Sequence, residues 1–147
     1  MPATVKTVLA ASQRYAWPFQ GPVNYTAQIT LDVSAFYAAD SAWVDSDGFL
    51  KPGTPVRESG VPISAASQYV YGVVIEPVRI GWNGTIYGNT AAILNAADDI
   101  QIAVATLGQV IKEAVEDNMG RSMDDNEVKA FAADGSHLVL LDYALNT

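Results

Sequence analysis

His137 is the single histidine of the chain, so any imidazole proton transfer has to pass through it. It opens an apolar run, His137-Leu138-Val139-Leu140-Leu141, and Ser136 precedes it. Neighbouring side chains on a strand point to opposite faces, so Ser136 and His137 read as unable to form a nucleophile–base pair. Carboxylates cluster at Asp45/Asp47, at Asp98-Asp99 and at Asp124-Asp125 with Glu127. Paired carboxylates suit acid–base work or a hard cation. Asp45-Ser46-Asp47-Gly48 opens like a calcium loop, yet Val56 stands where the closing bidentate glutamate belongs. That stretch reads as a turn instead. Asp124 and Asp125 fit a helix N-terminus, where negative charge meets the helix dipole, and Asp98-Asp99 fit a solvated turn. No cysteine is present, which removes disulfides, thiolate metal sites and a cysteine nucleophile. Neither phosphate-cradling glycine pattern occurs. The expectation is a protein with no catalytic, cofactor-binding or metal-binding residues, and so not an enzyme.

Composition narrows the partners. The chain has 147 residues, about one domain, half of them hydrophobic and 16% charged. So apolar a chain is not disordered, and the low charge share points to a surface partly covered by protein. The net charge of −8, with only eight lysines and arginines, argues against nucleic acid as partner, even with three tryptophans and seven tyrosines available for stacking. No run approaches a membrane span. Residues 7–11 form too short an apolar run for a signal peptide, so the expectation is no membrane and no export.

The elements come next. Residues 1–25 are expected to form an N-terminal arm: Thr4–Leu9 reads as a short strand, and Trp17, Phe19 and Tyr25 lie among Pro18, Gly21 and Pro22. Such an arm either folds over its own domain or reaches a neighbouring chain. Residues 26–147 are expected to form one β-rich domain. Asn24–Phe36 alternates in part, as a strand does. Asp47-Gly48 makes one turn. Lys51-Pro52-Gly53-Thr54 makes another, of type II, with Pro second and Gly third. Together these turns are expected to set the register of a first core hairpin, with prolines blunting its edge. Tyr69–Glu76 reads as a buried strand, Gly81–Thr85 as a hairpin turn, and Ile100–Ala105 as a strand. Ala91–Leu94 is ambiguous. Gln109–Met119 has helical spacing, stopped by Gly120, though its first residues could extend the preceding strand. A second helix, capped by Asp124 or Asp125, runs to about Ala133 with Gly135 as its end signal. His137–Tyr143 is a closing strand. The fold class is mainly β with one or two short helices, a small barrel or sandwich.

The order of these pieces resembles a known family. Asp47-Gly48-x-Leu50-x-Pro52-Gly53-Thr54-x-Val56, then Tyr71-Gly72-Val73-Val74, then Leu107-Gly108-Gln109-Val110 leading into a helix is similar to the lambda-type head decoration proteins of tailed bacteriophages. The likeness covers roughly residues 47–120, interrupted at 81–95. It implies a β-tulip-type domain whose segment 48–56 opens the core. It implies a cement protein on the outer capsid surface of the virion, made in the host cytoplasm. It also implies a homotrimer at three-fold and quasi-three-fold sites that clamps the major capsid protein against internal DNA pressure. Thr4, Val5, Val8, Leu9, Trp17, Phe19 and Tyr25 are the expected capsid contacts, because an arm can bind by adding a strand to an exposed sheet edge. Asp47, Gly48, Pro52 and Gly53 are the expected structural turns. The alternatives are another assembly module, such as a tail, fibre-base or scaffold component, and a small-ligand-binding barrel.

Overall fold

The structure is a computed structural model, and it describes residues 15–39, 43–45, 48–80, 82–84, 91–94 and 100–142. Chain order gives β1 (Thr26–Leu31), α1 (Val33–Ala39), β2 (Phe49–Leu50), β3 (Pro55–Val56), β4 (Gly72–Val74), β5 (Val78–Arg79), β6 (Trp82–Gly84) and β7 (Ala91–Leu94). It continues with β8 (Ile100–Ala105), β9 (Gly108–Ile111), α2 (Lys112–Met119), α3 (Asp125–Ala132) and β10 (Leu138–Leu141).

The main sheet has the order β1-β8-β4-β3, antiparallel throughout. Its longest ladder sets Thr26 opposite Ala105 and Leu31 opposite Ile100. Alternation sends Ile29 and Leu31 of β1, with Ile102 and Val104 of β8, into the core, and leaves Thr30 and Gln101 outside. Phe36, Trp43, Leu50, Val56, Val70, Val73 and Ile80 complete an interior with almost no solvent access. β9 and β10 pair in parallel, and β2–β5 and β6–β7 pair antiparallel. The result is a small β-rich domain with three short helices and no closed barrel among the described strands.

Several expectations need correction. The described residues form three helices, not one or two, because the sequence read as a strand through Phe36 turns helical at Val33. The Asp32 side chain accepts bonds from Ser34 Oγ (3.0 Å) and the Ala35 amide (3.4 Å), which starts a turn. Val33 and Phe36, three apart, are then both buried on one helix face. Trp82–Gly84, expected as a turn, is a strand paired with Ala91–Leu94. Within Tyr69–Glu76 only Gly72–Val74 is strand. Residues 108–111 form a strand of their own, β9, paired with β10 outside the main sheet, before α2 begins, and Gly120 ends α2 with φ 78°. α3 stops at an extended Ala133, two residues ahead of Gly135.

The turn segment is also rearranged. Asp45 to Gly48 folds Trp43-Val44 back on Phe49–Lys51, with Asp45 N donating to Phe49 O (2.9 Å) and Lys51 N to Trp43 O (2.9 Å). The second turn then sends the chain into a different sheet: β2 pairs with β5, whereas β3 pairs with β4. The two turns therefore split a hairpin between two sheets instead of setting the register of one. β3 is the sheet's edge strand, and it carries Pro55. Of the four expected turn residues, Gly48 (φ 89°) and Gly53 (φ 94°) hold conformations that favour glycine. Thr54 N donates to Lys51 O (3.3 Å) across Pro52-Gly53, as the type II reading requires. Asp47 lies outside the described residues.

Candidate contact surface

Residues 15–25 form a strap along residues 106–111. Ile111 N donates to Pro18 O (2.8 Å), Gln20 N to Gln109 O (2.9 Å) and Thr106 N to Tyr25 O (3.1 Å). Phe19 faces Val110 in an antiparallel bridge, and its ring is buried in the core. The strap thus serves as an extra strand on the free edge of β9.

Its upstream end is held by one amide. Asn118, in the last turn of α2, is 7% exposed. Its Oδ1 accepts from Ala16 N (2.8 Å), while its Nδ2 donates to Ala16 O (2.9 Å) and Pro52 O (3.1 Å). A single side chain therefore joins the strap, α2 and the Pro52-Gly53 turn. The joint is close-packed: a Cβ at Gly53 would lie 2.9 Å from Val115 Cγ2 and 3.4 Å from Pro18 Cβ. Next to it the Tyr15 hydroxyl donates to the Asp45 carboxylate, whose other oxygen accepts from Phe49 N (3.0 Å). The sequence reading missed Asn118. Its signal was present, because 115, 118 and 119 share the buried face of α2, and a polar residue there needs partners.

The anchored strap displays two large aromatics. Trp17 is 50% exposed, rests edge-on against Phe19 (centroids 5.3 Å apart, 63° between planes) and donates its indole N–H to Gly21 O (3.0 Å). Tyr25 is 59% exposed at the other end of the strap, where Thr106 precedes the exposed Leu107. Of the residues expected to contact a partner, Trp17 and Tyr25 are therefore presented outward, whereas Phe19 is spent on this chain's own core. Thr4, Val5, Val8 and Leu9 lie outside the described residues.

The groups weighed for chemistry stand apart. His137 is exposed, and Ser136 Oγ accepts from Leu138 N (3.4 Å). Asp124 and Glu127 form a capping box on α3: Asp124 Oδ1 accepts from Glu127 N (2.8 Å), and Glu127 Oε1 accepts from Asp124 N (2.9 Å). Burial pushes the Glu127 carboxyl above its usual value, opposed by the Asp124 amide and by the Arg121 guanidinium at 3.1 Å. Asp98-Asp99 lie outside the described residues. Among the described residues no three acidic or histidine side chains gather to hold a metal ion. Nor is any described helix long and apolar enough to cross a membrane. The chain was compared with protein-family models, curated proteins and solved structures, and nothing matches.

Proposed function

We propose that this chain is a structural protein that attaches to the outside of a phage capsid. It sits there as a homotrimer at three-fold and quasi-three-fold positions and clamps neighbouring subunits of the major capsid protein. In this reading the domain is a sandwich- or tulip-like variant of the decoration fold. The observation that supports the reading best is the joint at Pro52-Gly53. The segment that carries the resemblance also packs against the upstream end of the strap, through Asn118 and Pro18, beside the exposed Trp17. Aromatics held rigidly at a surface suit protein contact, since they lose little freedom on binding. The net charge of −8 turns the chain away from nucleic acid and anionic membrane.

The test is cosedimentation with mature capsids of the phage or prophage that encodes the chain. Saturable binding near one chain per capsid subunit is expected, and a Trp17→Ala, Tyr25→Ala double variant should bind at least tenfold more weakly. A folded chain that never pellets with shells would overturn the proposal and favour a tail or scaffold component.

A further inference from the structure

The strap, β9 and β10 make a three-stranded ribbon, and among the described residues only one of its edges is paired. The strap closes the β9 side. On the other side, no described strand pairs with β10, whose Val139 is 55% exposed. Next to that open edge runs a groove of about 370 Å³ between β10 and α3, lined by Val128, Phe131, Ala132, Leu138, Val139 and Leu140. The Lys112–Asp142 ion pair (3.1 Å) stands on its margin. An unpaired edge beside an apolar groove is what an added strand needs: backbone groups to bond and pockets for alternate side chains.

The chain itself carries a segment of matching chemistry. Residues 1–14 include Val5, Val8 and Leu9, two of the eight basic residues and no acidic one. Residues 15–147 hold the other six basic residues and all sixteen acidic ones, a net charge of −10. A strand over Thr4–Leu9 would put Val5, Thr7 and Leu9 on one face and Lys6 and Val8 on the other. A cationic, partly apolar segment is thus offered to an acidic body with an apolar groove.

The exit point decides whose body receives it. Tyr15 and Ala16, the upstream end of the strap, are fixed beside Asp45 and Asn118, on the edge of the ribbon opposite β10. To reach its own β10, an arm would have to reverse and cross the ribbon. Only residues 10–14 connect segment 4–9 to the anchored Tyr15, at most about 20 Å of chain, and crossing three strand spacings of about 4.8 Å with a reversal would consume most of it. We propose that the open edge of β10 and its groove receive residues 4–9 of a second copy of this chain. Each arm then docks on the next body, a head-to-tail contact that closes into a ring when the rotation allows. This self-association stands whether or not the chain binds a capsid.

The absence of cysteine makes the test clean. One chain carries Val5→Cys and another Val139→Cys; they are mixed and treated with a bismaleimide, alongside a chain carrying both changes. The expected result is a crosslinked dimer from the mixture and a ladder of higher species from the double variant. Light scattering should show an oligomer for the full chain. It should show monomers for Val139→Lys and for a chain lacking residues 2–14, both with the parent's circular dichroism. A crosslink formed only within single molecules, no crosslink at all, or an oligomer that survives deletion of residues 2–14 would each overturn the proposal.

Discussion

Replacing Asn118 by leucine keeps the number and branching of the side-chain heavy atoms and removes both polar atoms that this side chain brings to the strap joint. Three hydrogen bonds disappear, to Ala16 N, Ala16 O and Pro52 O. At about 1 kcal/mol net for each, the loss is about 3 kcal/mol, before any penalty for leaving those backbone groups dry. The strap has an alternative to enduring that penalty, which is to lift away and let water satisfy Ala16. Lifting off exposes Phe19, whose burial is worth about 1.5–3 kcal/mol. The two costs are comparable, so the destabilisation should settle at about 3 kcal/mol and be felt first in the strap. For a domain of this size that is a fall of about 6–12 °C in melting temperature. Hydrogen exchange should show the Gln20 and Ile111 amides, which bond across the strap–β9 contact, losing protection before those of β1 and β8. A melting temperature within about 2 °C of the parent, with Gln20 and Ile111 still protected, would refute the claim that Asn118 anchors the strap.

Gly53→Val meets both a left-handed backbone and Val115 at 2.9 Å, so it should destabilise by more than about 2 kcal/mol in urea melts; unchanged melting would remove the type II turn assignment. Asp124→Ala removes the reciprocal cap of α3 and should cost about 1 kcal/mol, read by the same melts. Glu127 is a carboxyl whose folded value is raised by burial, so its effect on stability is most favourable below the ordinary glutamate value and is lost as pH rises through the raised one. Glu127→Gln lacks that dependence, so the parent should gain on the variant between pH 7 and about pH 4.5 in paired urea titrations. A stability difference that stays flat over this range would show that burial does not govern Glu127.

What the sequence disclosed and what it hid divide along local and non-local lines. The turn at Pro52-Gly53, the Gly120 stop and the Asp124 cap are set by the backbone demands of one or two residues, and those demands are visible in residue type. Ile100–Ala105 was legible because one of its faces is buried, which leaves a period of two. α1 was misread because Ile29, Leu31 and Val33 keep that alternation going until Asp32 redirects the backbone. The destination of β2 was hidden because nothing near Phe49-Leu50 encodes that Val78-Arg79 will lie opposite. The strap's aromatics could be listed from sequence, but their fates could not. Phe19 is buried and Trp17 exposed because of where residues 109–111 run, nearly a hundred positions downstream.

That distance has a consequence for how the molecule is made. β1 finds its partner in residues 100–105, and the strap bonds residues 106–118 apart from the Tyr15–Asp45 contact, so the described strap and β1 have few partners near them in sequence. Closing so long a loop must precede any reward from pairing, which places folding on the slow, milliseconds-to-seconds side expected for non-local β topologies. During synthesis the amino-terminal strand has to wait, unpaired, until β8 has been made. β10, the last described strand to be made, then completes a ribbon whose other edge was translated before every other described strand.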